Sequence, residues 1–316
     1  MYFDPIRVDP ESEIVAARGP RLHPATCPTQ SAKTGPEADR PLLLFGIPDT
    51  YHVASRPIAS IRYWPCYVIL VAPAIVSYIS CRGGRTQDSP VPVRVAVAAN
   101  FSAAHEQIAR QFQVTSGLHV ETSLGATGQL YAQIRNGAPY DVFLAADTVR
   151  PALLESQGLA VPGSRFTYAL GRLAMLAPRW DSVRSADSEL RSRPYQHLAI
   201  ANPTIAPYGA AAQQVLEQLG LWPELRSRIV RGENVGQTYQ FVVSGAAEVG
   251  FVAMSQLQNH PARSFWTVPE QLHDPIRQDA VLLQRGAHNA GARAFLDFVK
   301  SEAGRQVTIS FGYGVP

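Results

Sequence analysis

The chain has 316 residues, 28 basic and 25 acidic, long enough for one or two domains with a sizeable core. From position 91 onward the balance is 19 basic to 17 acidic, dispersed along the chain, which excludes the basic stripe of a nucleic-acid-binding surface. The three cysteines, Cys27, Cys66 and Cys81, form no CxxC or Cys/His cluster, which excludes a structural zinc site.

Residues 1–60 mix Pro, Ser, Arg and Asp without a sustained period. They read as disordered or as an upstream extension of the reading frame. Residues 61–91 read as an export signal or anchor followed by a linker. Within them "YVILVAPAIVSYI" is a 13-residue apolar run behind Arg62, the length of a signal-peptide core rather than of a membrane span. "SYISC", ending at Cys81, faintly matches a lipoprotein cleavage box, with Tyr78 where such boxes prefer leucine.

From residue 92 the pattern alternates strand and helix. Strands are predicted at 92–98, 118–123, 141–145, 173–177, 197–201, 248–252 and 278–284. Helices are predicted at 102–116, 127–136, 148–157, 208–219, 235–244 and 290–302. Strands separated by helices predict an α/β fold with mostly parallel sheets covered on both faces.

Four strand-to-helix junctions share one chemical character. They are Asn100-Phe101-Ser102, "GATG" at 125–128, Pro207-Tyr208-Gly209, and "GENVG" at 232–236. Each brings unpaired N–H groups at the positive end of a helix dipole beside a small, amide or hydroxyl side chain, which is the physical recipe for an anion site. Taken one at a time, Asn, Ser or Thr before a helix is usually an ordinary cap. Competing chemistry is missing: there is no GxSxG, HExxH or P-loop. "HEQIA" at 105–109 lacks the second histidine, and His105 reads as an exposed helix residue. Asp147 reads as a cap for the helix that follows it.

Five segments then carry a family resemblance: "VAVAANFSAAHEQIARQF", "SLGATGQLYAQIRNGAPYDVFLAAD", "LAIANPTIAPYGAAAQQVLEQLG", "ENVGQTYQFVVSGAAEVGFVAMSQL" and the closing "FGYGVP". Through them the chain from about 92 to 316 resembles the periplasmic molybdate-binding proteins of ABC importers. "NGAPYDVFLAAD" and "NPxxAPYGxAA" are the most specific.

The resemblance implies a two-lobed type 2 periplasmic binding protein with a hinge between the lobes. Its first lobe would be 92–169 plus 274–316, and its second 170–273. It further implies an oxyanion, molybdate or tungstate, held without direct metal ligands by Asn100, Thr127, Tyr208 and the backbone N–H of Val235. Many relatives have serine at the positions of Asn100 and Thr127. Some place a tyrosine where this chain has Ala253, a hydroxyl that Tyr208 could supply from another junction. No cofactor and no catalysis are implied. The partner would be a permease in the inner membrane, and the protein a periplasmic monomer, with an anchor through residues 63–80 or Cys81 as the alternative. Two other readings remain open at this point: a binding protein for another tetrahedral or small organic anion, and a membrane-tethered sensor domain.

Overall fold

The computed structural model describes residues 91–316; the expectations for 1–60, for the apolar run and for Cys81 lie outside the described residues. Among the described residues, no helix is long and apolar enough to cross a membrane.

In chain order the elements are β1 (Val93–Ala98), α1 (Ser102–Ser116), β2 (Val120–Gly125), α2 (Thr127–Arg135), β3 (Val142–Leu144), α3 (Val149–Ser156) and β4 (Phe166–Gly171). There follow β5 (Leu173–Leu176), α4 (Ala186–Ser192), β6 (Leu198–Ala201), α5 (Pro207–Gln218), α6 (Trp222–Leu225) and β7 (Ile229–Gly232). The series closes with α7 (Val235–Ser244), β8 (Val249–Ala253), β9 (Phe265–Thr267), β10 (Ile276–Leu282), α8 (Ala290–Lys300) and α9 (Glu302–Ser310).

The strands form two five-stranded sheets, ordered β2-β1-β3-β10-β4 and β7-β6-β8-β5-β9. Both orders follow one plan. Three strands pair in parallel, and then come two antiparallel pairings. The sheets are mixed, as expected, although antiparallel pairing is as frequent as parallel rather than the minority. The reason is connectivity: β4 runs on into β5 through Arg172 alone, and β10 returns to the first sheet after β9. Of these, β10 in the first sheet and β5 in the second run against the helix-connected strands, and β4 and β9 pair antiparallel on their outer sides.

Each sheet has a core on both faces, as strands with a period of two require. In the first, Val93, Val95 and Val97 pack with Phe101, Ile108, Phe112 and Phe295. The intervening Ala96 packs on the other face with Leu130, Phe143 and Leu154. In the second, Leu173, Met175, Leu198 and Ile200 pack with Val215 and Leu216 of α5, while Ala174, Leu176 and Ala199 pack with Val242 of α7.

His105 departs from its expected exposure. It is buried in α1, with Nε2 2.8 Å from Thr122 Oγ1 and its ring edge-on to Phe295. Its Nδ1 is the one buried side-chain polar atom without a partner among the described residues. Burial lowers its pKa to about 4, so the ring is neutral near pH 7. Asp147 behaves as expected, its Oδ1 accepting the N–H of Arg150 at 2.9 Å.

Candidate anion-binding site

The four junctions are the carboxyl ends of two pairs of neighbouring parallel strands, β1 with β2 and β6 with β7. In open α/β sheets that edge is where ligands bind, because the turns after the strands leave a crevice there. Here the two edges face each other. They border a small cavity, about 10 Å³, lined by Ala98, Asn100, Thr127, Tyr208, Asn234 and Val235, with six further small or apolar residues. No charged side chain is among its lining residues.

Three of the four helical starts at this cavity have no side-chain cap. The residue before the turn Ala99–Phe101 is Ala98, that before α2 is Ala126, and that before α5 is Ala206. Alanine cannot accept the orphan N–H groups of a first turn. Away from the cavity, α4, α8 and α9 are capped by Ser185, Asn289 and Ser301, while the short α6, after Leu221, is not. In α7 Asn234 accepts only the N–H of Gln237, at 3.0 Å. The N–H groups of Asn100, Thr127, Tyr208 and Val235 therefore have no protein acceptor among the described residues. The sequence contained this signal, since the alanines in "AANF", "GATG" and "IAPYG" stand where a cap would.

Neither Asn100 nor Thr127 uses its side chain as a cap. Thr127 Oγ1 accepts the N–H of Ala146 at 3.0 Å, which leaves the hydroxyl proton free to donate. Tyr208 Oη accepts from Gln278 Nε2 at 3.1 Å, which leaves its proton free as well. Burial pushes the Tyr208 hydroxyl well above the usual tyrosine range, so it keeps that proton. The amide of Asn100 is engaged with protein: Nδ2 donates to Gln278 Oε1 at 2.9 Å and to Tyr313 Oη at 3.1 Å. All four residues named from the sequence come together at the cavity wall, each almost fully buried. Ala253 ends β8 opposite Leu173 and does not line the cavity.

Sequence reasoning missed the shell behind these groups. Tyr313 Oη and Ser255 Oγ both lie within hydrogen-bond reach of the Asn100 carbonyl, at 2.6 and 2.9 Å, and Tyr168 Oη reaches Gln278 Oε1 at 3.1 Å. Tyr313 and Ser255 had lain inside the segments "FGYGVP" and "ENVGQTYQFVVSGAAEVGFVAMSQL" without a role. Several of these contacts bridge the lobes. Ser255 and Tyr208 belong to the second lobe, and Asn100 and Gln278 to the first. Further bridges run from Gly128 N–H to the Ile205 carbonyl at 2.8 Å and from Arg150 Nη2 to the Thr204 carbonyl at 3.1 Å.

Among the described residues no cluster of three or more His, Cys, Asp or Glu is placed to hold a metal ion. What the cavity offers is a closed, uncharged set of donors from two lobes, the mark of a two-lobed solute-binding protein. Residues 93–314 match the family model described as bacterial extracellular solute-binding protein. The molybdate-binding protein ModA of Azotobacter vinelandii is 47% identical over 226 residues, covering 71% of this chain and 90% of that protein. ModA of Rhodobacter capsulatus is 43% identical over 221 residues, covering 70% and 87%. The solved structure of the Azotobacter vinelandii periplasmic molybdate-binding protein aligns with a TM-score of 0.68 at 41% identity, covering 71% of this chain and 99% of that one. The chain belongs to the bacterial extracellular solute-binding proteins and, within them, to the ModA family.

Proposed function

We propose that this protein is the substrate-binding component of an ABC importer. It captures molybdate or tungstate between its lobes in the periplasm and delivers the anion to a permease in the inner membrane. The observation that carries this reading is the convergence of uncapped helix starts on a small cavity without charge. A tetrahedral dianion is stabilised there by aligned N–H dipoles and hydroxyl donors, with no counter-ion needed. Thr127 and Tyr208 supply hydroxyl protons, while Val235 and Asn100 supply backbone N–H groups. No histidine, carboxylate, lysine or cysteine is among the lining residues to act as a general base. The names of the ModA relatives support molybdate as the cargo.

Closure about the Arg172 crossover and the returning segment before Ile276 would bring the two donor sets together, and the permease would read the closed form. Residues 92–169 with 274–316, and residues 170–273, are the bodies that would move.

Calorimetric titration of the full chain with molybdate, tungstate, sulfate and phosphate tests the reading. Tight, saturable binding of molybdate and tungstate with weak competition by the smaller anions is expected. Preference for phosphate, or no binding of any oxyanion, would overturn it. Export is tested by N-terminal sequencing of protein recovered from the periplasm of a Gram-negative host. A start within residues 81–92 is expected, and an intact Met1 in a soluble periplasmic product would contradict it.

A further inference from the structure

Gln278 lies on β10, the strand by which the chain returns to the first lobe, and is fully buried. The pairing of β10 with β4 shifts register there: Gln278 faces Ala169 and Asp279 faces Thr167, so Tyr168 is the extra residue. Such bulges re-aim side chains beside functional sites. Here the shift accompanies a contact between Tyr168 Oη and Gln278 Oε1.

The directions of the amide hydrogen bonds in this cluster follow from one fixed point. The backbone carbonyl of Asn100 can only accept. The single proton of Tyr313 goes to that carbonyl or to Ser255 Oγ, at 2.6 or 2.9 Å. In either case Tyr313 Oη must accept from Asn100, which orients the Asn100 amide with Nδ2 inward. The second Nδ2 proton then meets Gln278 at 2.9 Å, and that contact requires Oε1 on the Gln278 side. With its oxygen so committed, Gln278 presents Nε2–H to Tyr208 Oη across the lobe boundary. The Tyr208 hydroxyl accepts from Gln278, so its own proton is directed away from Gln278 and is free to donate.

We propose that Gln278 is a positioning residue of the anion site: by donating to Tyr208 Oη it aims the Tyr208 proton at the bound anion, and it does so only when the lobes are together. This rests on the oxyanion-binding reading above. Gly171 is consistent with the role. A Cβ built there would lie 2.3 Å from Tyr208 Oη and 2.6 Å from Gln278 Nε2, so the backbone leaves room for this contact and for nothing larger.

The test is a double-mutant cycle on molybdate affinity in the full chain, with Tyr208→Phe, Gln278→Met and the double variant. A hydrogen bond to a charged partner corresponds to roughly 10- to 150-fold in affinity. Gln278→Met is expected to weaken binding by about 10-fold or more when Tyr208 is present, and by about 3-fold or less in the Tyr208→Phe background. A residue that merely supports the fold or holds Asn100 would cost the same factor in both backgrounds, and equal factors overturn the proposal. So would an unchanged affinity for Tyr208→Phe. Where Gln278→Met does not fold, Gln278→Asn withdraws the amide from Tyr208 and is read in the same two backgrounds with the same criteria. Wild-type protein that binds no molybdate would overturn the functional reading itself, whereas tight wild-type binding with equal factors removes only the role of Gln278.

Discussion

The N–H of Gly128, in the first turn of α2, donates to the carbonyl of Ile205 at 2.8 Å, from one lobe to the other. A Cβ built on Gly128 would lie 3.0 Å from both Ile205 Cα and Arg150 Nη2. Backbone and backbone meet here, and only a residue without a side chain lets them do so. Gly128→Val is expected to hold the lobes apart. Overpacking at such a contact costs on the order of 1–3 kcal/mol, so affinity for molybdate should fall roughly 5- to 150-fold. The unliganded protein, free to open, should keep its melting temperature. Titration together with small-angle scattering of the liganded form checks this, and an unchanged affinity would mean that Gly128 does not report on closure.

Tyr208→Phe removes a buried hydroxyl whose proton has no protein acceptor among the described residues. Losing one hydrogen bond to an anion costs on the order of 1.5–3 kcal/mol, so affinity should drop roughly 10- to 150-fold. The stability of the unliganded protein should move much less, because only the bond from Gln278 is lost. Calorimetry and thermal melts of the same samples separate the two effects.

Molybdate should stabilise the fold far more than sulfate. The donors form one site only in the native protein, so at a thousandfold excess over the dissociation constant linkage supplies about 4 kcal/mol. For a domain of this size that corresponds to a rise in melting temperature of roughly 8–16 °C. Sulfate has the same charge but is smaller, and each rigid donor that it fails to reach stays buried and unpaired at a cost of roughly 1–3 kcal/mol. Equal shifts with the two anions would leave the family standing and overturn the substrate.

His105 makes stability depend on pH in a defined window. Its pKa falls from 6.5 to about 4 on burial, so the native ring stays neutral while the unfolded ring takes up a proton. The contribution is fully present above pH 6.5 and is lost as pH falls towards 4, amounting to about 3 kcal/mol. Urea unfolding of wild type and His105→Leu between pH 7 and 4 should show a shallower decline in the variant. Parallel declines would mean that acid sensitivity arises elsewhere, in paired carboxylates.

Local physics settled much of this protein. The alternation in Val93, Val95 and Val97 and the apolar period of α1 placed β1 and its helix to within a residue. The run of small and hydroxyl residues after four strands marked the four junctions, because strand ends and helix starts are local events, and the family resemblance implied Asn100, Thr127, Tyr208 and Val235 within them. What the sequence could not show was β4, β7 and β9, whose short runs are held by pairing with strands up to about a hundred residues away in the chain. Nor could it show His105 buried, since a polar residue on a helix reads as exposed until Phe295 is laid over it. The contacts that join Gln278, Tyr313 and Ser255 behind the cavity were invisible for the same reason. These residues lie 178, 213 and 155 residues from Asn100, and no sequence period links them. Hydrogen-bond direction at Tyr208 is set by which groups the tertiary fold brings to within 3.1 Å of one another, and only the folded chain decides that.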